Sequence, residues 1–338
     1  MTSTRIMAAA HNEFLKAQFA SLPPLPAIEK LSESVWRILG GNPGKVRMRL
    51  VATARPTSPR TNQAHSRFIV PIAQFQLQGT NTYLLGTGRE RLLIDTAQGV
   101  PVWIESLKSV LEKENAVVEK ALITHFHHDH VGGISDLRKL SPDTVIYKNS
   151  PEDNQDKGIN DGDEFSVEGA TLKAVYTPGH AHDHMCFLLE EENAIFTGDN
   201  VLGHGTTVFT DLKEYMDSLQ KMLDLKPAHA YPAHGQLIEE AQKKLQEYIM
   251  HRQMRESQIM RQLQAVRGEK DGDQAAVTSM ELVKGIYVDV DPGLHVAAEG
   301  GVVQVLDKLE KEGRVGRVIR NGATKYTLAE KTSSPSSL

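Results

Sequence analysis

ALITHFHHDHVGG, residues 121–133, passes from a short apolar run into a histidine-rich loop and then into small residues that open a helix. KALIT reads as a strand and VGGISDL as the start of a helix. Between them stand His125, His127, Asp129 and His130, an HxHxDH pattern. Neutral imidazole is the commonest side-chain ligand for a borderline-soft divalent metal, and a carboxylate adds charge. Side chains one and three places along a loop leaving a strand point the same way, so His125 and His127 can clasp one ion. Asp129 and His130 then face a second position beside it. The plain alternative is a polar, histidine-rich loop. Four ligand-type residues within six positions, on a strand-to-helix loop, are not explained by packing.

Two metals need more ligands than six residues supply, and three further candidates follow downstream. They are His180 in VYTPGHAHDH, Asp199 in NAIFTGDNVLG and His234 in AHAYPAHG, each after an apolar, strand-like run. Strands that end in Pro-Gly or Gly and then a ligand deliver side chains to one rim of a β-sandwich. Asp199 is the natural bridge, since a carboxylate offers one oxygen to each ion. The expected assignment is His125, His127 and His180 to one metal, Asp129, His130 and His234 to the other, and Asp199 to both. Two ions about 3.5–4 Å apart activate water near neutral pH and polarise a carbonyl or phosphoryl oxygen. All seven positions are filled, which argues against an inactive relative of an enzyme. His128 sits where the loop should point away from the metals. His182 and His184 read as loop histidines satisfied by backbone, with contact to substrate as the alternative. His204 is close enough to Asp199 to line the pocket. His11, His65, His229, His251 and His295 carry no motif.

HxHxDH, GH, GD and PxHG in this order resemble the metallo-β-lactamase superfamily. The resemblance implies an αββα sandwich, an α/β (α+β) fold with the metals at one edge of two sheets. The texts GGNPGK, FQLQGTNTYLLGTG, RLLIDT, HMCFLLEEENAIFTGDNVLGHGTTVF and HRQMRESQI resemble one branch. That branch holds lactamase-like thioesterases of fungal non-reducing polyketide pathways (the atrochrysone-carboxyl-ACP thioesterase type) and the animal endoribonuclease called β-lactamase-like protein 2. The resemblance runs from about residue 31 to about residue 318. In the superfamily the aspartate matching Asp95 orients the ligand loop. Here it is followed by AQG where relatives carry GEG, which puts the local turn in question. Ala233 likewise replaces a usual glycine. His204 stands where the ribonuclease branch has glutamate and so favours the thioesterases. Fold alone decides no substrate.

The 338 residues divide into an N-terminal extension (1–30), a catalytic domain (31–250), a C-terminal module (251–330) and a disordered tail (331–338). Residues 8–20 suit a short helix. The segment 46–74 is basic, acid-free and unpatterned, and its neighbours GGNPGK and FQLQGTNTY join without it. It is expected to be a translated intron, with a substrate lid as the alternative. Helices are expected over 106–115, within 205–225 and over 241–266. The module reads as helix, helix and hairpin, a winged-helix-like arrangement. Its balanced charges favour a structural cap or a homodimer contact over nucleic acid. A net charge of −5 also argues against a general polyanion binder. Cys186, the single cysteine, permits no intrachain disulfide and reads as a buried, inert thiol in MCFLL. With no 18-residue apolar run and no apolar signal core near the N-terminus, cytoplasm is the expected location and no membrane is implied.

The expected function is hydrolysis of the thioester that tethers a polyketide acyl chain to the acyl carrier protein of a non-reducing polyketide synthase. Asp129 is the expected catalytic residue, orienting or accepting the proton of the attacking water. Two divalent cations are implied, Zn2+ first, with Mn2+ or Fe2+ as alternatives. A metal-dependent endoribonuclease acting on single-stranded RNA is the second reading. A glutathione thioesterase is a weaker third, and β-lactam hydrolysis is disfavoured by the branch resemblance.

Overall fold

The computed structural model describes residues 22, 24–41, 79–151, 153, 155–269 and 275–329. The expected helix at 8–20, the segment 46–74 and the tail 331–338 lie outside them.

Strand period-2 alternation builds the first sheet. It contains β1 (Ile28–Lys30), β2 (Val35–Gly40), β3 (Thr80–Leu85), β4 (Glu90–Ile94), β5 (Val117–Leu122), β6 (Val145–Lys148) and β7 (Lys157–Gly158), in that spatial order. β1 to β4 pair antiparallel, and β4 to β7 pair parallel. The register Tyr83–Ile94, Leu84–Leu93, Leu85–Leu92 sorts the side chains onto two faces. Tyr83, Leu85, Leu92 and Ile94 turn inward against a second sheet, whereas Leu84 and Leu93 turn outward to helices. A one-residue slip would exchange these sets, so burial on both faces specifies the register.

The second sheet runs β12 (His229–Pro232), β11 (Ala194–Gly198), β10 (Met185–Leu189), β9 (Ala170–Tyr176) and β8 (Glu164–Val167). Its Leu172, Ala174, Phe187, Phe196 and Tyr231 meet the first sheet, where Tyr83 packs edge-on to Phe196 at 5.0 Å. Outside the first sheet lie α1 (Pro101–Glu114) and α3 (Ile134–Leu140), joined to β5 through the one-turn α2 (His128–Val131). The helix expected at 106–115 begins earlier because Pro101 occupies its first turn, where a missing N–H costs nothing. Outside the second sheet lie α4 (Leu212–Asp224) and α5 (Ala241–Glu269). α4 starts late in the stretch expected to be helical because Asp211 caps it, accepting from the N–H groups of Lys213 and Glu214. The four layers make the αββα sandwich.

The C-terminal elements are α6 (Ser279–Ile286), α7 (His295–Lys311), β13 (Val315–Arg320) and β14 (Ala323–Leu328). Thr278 and Glu281 form a reciprocal cap on α6. Leu282, Val283, Val302, Leu306 and Leu309 share one core with Leu219, Leu245 and Ile259 of α4 and α5. α5 is continuous through residue 250, where the sequence reading places the module boundary. Cys186 is fully buried on the second sheet, and burial pushes its thiol up to about 12, which suits packing and not nucleophilic attack. Among the described residues no helix is long and apolar enough to cross a membrane.

Glu192, in the turn before β11, pins the two sheets together at the end away from Asp199. Ser32, Ser34 (3.0 Å) and Tyr231 (2.6 Å) donate hydroxyl hydrogen bonds to its carboxylate, and His229 lies at 3.4 Å. Burial works against the charge. The hydrogen bonds from His229, Ser32, Tyr231 and Ser34 outweigh it and hold the carboxyl at about 2. A lowered folded pKa stabilises fully above the ordinary 4.5, and this contribution is lost as pH falls through about 2. Glu192→Gln is therefore expected to lose about 1 kcal/mol at neutral pH, after allowance for solvent screening. Thermal melts across that acid window should show the gap between variant and wild type closing.

Candidate metal centre

Seven side chains converge at the ends of β5, β9, β11 and β12. His125, His127, His180 and Asp199 form one group, and Asp129, His130 and His234 another, with the ligand atoms of each group within 4.8 Å of one another. The structure thus brings together every sequence-predicted ligand-type residue, with Asp199 grouped with His125, His127 and His180. Asp199 also reaches the second group: its Oδ1 lies 3.1 Å from His234 Nε2 and 3.5 Å from His130 Nε2, and its Oδ2 lies 3.5 Å from His180 Nε2.

The backbone explains how each ligand is aimed. β5 ends at Leu122, and its continuation carries His125 to the rim before α2 turns Asp129 and His130 back towards it. Asp199 follows β11 directly. Gly198 adopts φ +50°, and an added Cβ there would come within 2.5 Å of His184 Nε2. Glycine is therefore required if Asp199 is to sit over His184, whose Nε2 accepts the Asp199 backbone N–H at 3.1 Å. His184 is the buried brace beneath Asp199. Gly133 is similarly obliged, because a Cβ would strike Thr96 O and the Trp103 ring.

Hydrogen bonds to the outer nitrogens set the tautomers. His180 Nδ1–H donates to Val208 O at 2.7 Å, and His234 Nδ1–H donates to Gly79 O at 3.1 Å. His130 Nδ1–H donates to Asp95 Oδ2 at 2.8 Å. His125 Nδ1 lies 3.0 Å from Thr124 Oγ1, which itself donates to Asp95 Oδ2 at 2.8 Å. Each turns its Nε2 inward. His125 Nε2 and His180 Nε2 lie 2.8 and 3.1 Å from His127 Nδ1. Three such nitrogens facing one point suit a cation. His130 Nε2 and Asp199 Oδ1 are buried and make no hydrogen bond, as ligand atoms would. The residues fit two divalent ions.

Electrostatics divide the two halves. Burial pushes His125 well down, with help from the neighbouring imidazoles, and pushes His127 to about 4. These rings are neutral and ready to ligate. In the other half burial opposes charge, but Asp129, Asp95 and Asp199 outweigh it at His130, and Asp199 and Asp129 do so at His234, raised to about 10. That potential favours cations.

Asp95 does what the resemblance implies. It is 1 % exposed, and its Oδ1 accepts the Thr124 N–H at 2.8 Å. It holds φ 61°, with Ala97 at φ 53°, so the AQG text keeps a left-handed turn that glycine would adopt without strain. Ala233, by contrast, is not among the residues with positive φ, so glycine is not needed there. Asp95→Asn retains the left-handed turn, which asparagine tolerates, but sets an amide against two N–H donors. Metal affinity is expected to fall about 10–100-fold, measurable by competition with a chelator.

His128 and His182 are exposed. His204 is buried beside Gly235, and burial with the nearby His234 lowers it to about 4. Thr124, and the loop 205–210 whose Val208 carbonyl holds His180, escaped the sequence reading, since backbone acceptors leave no residue-type signal.

Two family models match the chain. The Metallo-beta-lactamase superfamily covers residues 76–153 and 147–234, and the Beta-lactamase associated winged helix domain covers 278–322. The chain is 45% identical over 311 residues to Lactamase-like protein adaB of Aspergillus niger, covering 90% of this chain and 89% of that protein. It is 41% identical over 337 residues to Lactamase-like protein GME11357 of Pestalotiopsis microspora, covering 96% and 95%. A solved Beta-lactamase domain protein from Burkholderia ambifaria shares the fold with a TM-score of 0.66 at 15% identity, over 92% of this chain and 96% of that one.

Proposed function

This chain belongs to the metallo-beta-lactamase superfamily, and from that premise we propose that it is a metal-dependent hydrolase acting on the thioester between a polyketide acyl chain and the acyl carrier protein of a non-reducing synthase. When bound, two divalent ions would supply an activated water and a polarised carbonyl. The chain's own part is to place groups around them. Asp129, 3 % exposed, accepts the Thr80 hydroxyl at 3.2 Å through Oδ2, the same oxygen that lies 3.4 Å from His234 Nε2 and 3.5 Å from His130 Nε2. Held in this way, its carboxylate can orient the attacking water and take its proton. Asp95 and Thr124 fix the loop, and the buried rim keeps bulk water from competing.

The same clamp would suit a phosphodiester, so the ligands do not choose between thioester and RNA. The observation that carries the choice is the packing of α7. A winged-helix module that reads nucleic acid must present such a helix, yet Val302, Val305, Leu306 and Leu309 are buried in the shared core. Its cations are also answered by acids: Lys308 pairs with Glu256 and Glu312, and Lys311 with Asp211. Arg314 and Arg317 on the hairpin side likewise pair with Glu256, Asp307 and Glu310. These four cations, answered by acids, are poorly placed to meet phosphates. The test gives the metal-loaded full chain an acyl-carrier thioester and single-stranded RNA. Thioester hydrolysis is expected, and RNA cleavage without it would reverse the assignment.

A further inference from the structure

Six of the seven ligand-type residues are buried, and only His127 is partly open. Substrate therefore reaches the centre over His127. Beside that opening stands Phe126, 52 % exposed and, among the described residues, the only aromatic side chain in the set of exposed large hydrophobics. It belongs to none of the three cores, so folding does not account for it. Its ring lies 4.7 Å from that of His127 and 5.3 Å from that of His182, tilted 36° to the latter. His182 is exposed too, so the two rings form one continuous wall. The wall is held in place. Tyr176 donates its hydroxyl to His182 O at 2.7 Å.

We propose that Phe126 and His182 form an acyl-recognition wall that selects flat, conjugated acyl groups at the mouth of the metal centre. This deepens the thioesterase reading and rests on it. An open aromatic face attracts a planar π-system by offset stacking, whereas a puckered or short acyl group gains only area. The wall borders the ligand His127, so a stacked acyl group would hold its carbonyl near the metals.

The test compares 2-naphthoate with decahydro-2-naphthoate, acids of the same carbon skeleton but different flatness, binding to the zinc-loaded full chain by calorimetry. Phe126→Ala is expected to weaken naphthoate about tenfold more than the saturated acid, and Phe126→Trp to keep the preference. Equal weakening of both, or none, would overturn the wall. If Phe126→Ala loses zinc, His182→Ala carries the same comparison. Hydrolysis of naphthoyl and acetyl pantetheine thioesters separates the two ideas. Wild type that cleaves neither, yet shows the binding preference, sinks the thioester reading and supports the wall. Wild type that cleaves both, with a rate ratio unmoved by Phe126→Ala, overturns the wall and leaves the thioester reading intact.

Discussion

Asp199→Ala is expected to empty both halves of the metal centre and to lower hydrolysis by about three orders of magnitude or more. Its carboxylate is the group shared by the two sets: Oδ1 faces His130 and His234, and Oδ2 faces His180. Removing it takes one ligand from each ion and leaves their charges without the negative group between them. His125→Ala removes one ligand from one ion, so its loss of metal should be smaller. Elemental analysis of the two purified variants measures the difference. Full occupancy by two ions in Asp199→Ala would end the bridging assignment. The fold should survive, because the backbone of Asp199 is held separately through His184.

Asp129→Asn should lower kcat by about 10²–10⁴-fold while leaving the melting temperature near that of wild type. The amide matches the carboxylate in size and can still accept the Thr80 hydroxyl at one oxygen. It cannot take a proton from water, and with its oxygen kept towards Thr80 and the histidines its NH2 takes the Oδ1 position. Asp129 is also a ligand-type residue, so metal content must be measured alongside rate. A variant that holds two ions and turns over at the wild-type rate would remove Asp129 from the proton transfer. A variant that loses one ion would show that its ligand role dominates.

The two experiments address different levels of one design. The Asp199 variant probes occupancy, and the Asp129 variant probes the proposed handling of water once the ions are in place. Glu192 and Asp95 lie a step further out, one joining the sheets at the far end and the other fixing the turn on which His130 rests.

Much of this was legible in the sequence because the chemistry is written in residue types that have few other uses. Five histidines and two aspartates following strand ends, with HxHxDH inside six positions, marked the ligand-type side chains that the fold brings together in two groups. The helix–helix–hairpin order of the C-terminal part was readable as well. Tertiary structure decided what depends on contacts distant in sequence. The carbonyls of Gly79 and Val208 fix which nitrogen of His234 and His180 faces the metals, and a carbonyl is present in every residue type. His184 reads as an ordinary loop histidine until Gly198 brings the Asp199 N–H onto it. The C-terminal module reads as an appendage until Val302 and Leu306 are seen in one core with Leu219 and Ile259. Ligand identity is local and chemical, so sequence carries it. Aim, support and the burial of one module against another are sums over many weak, long-range contacts, and only the folded chain adds them.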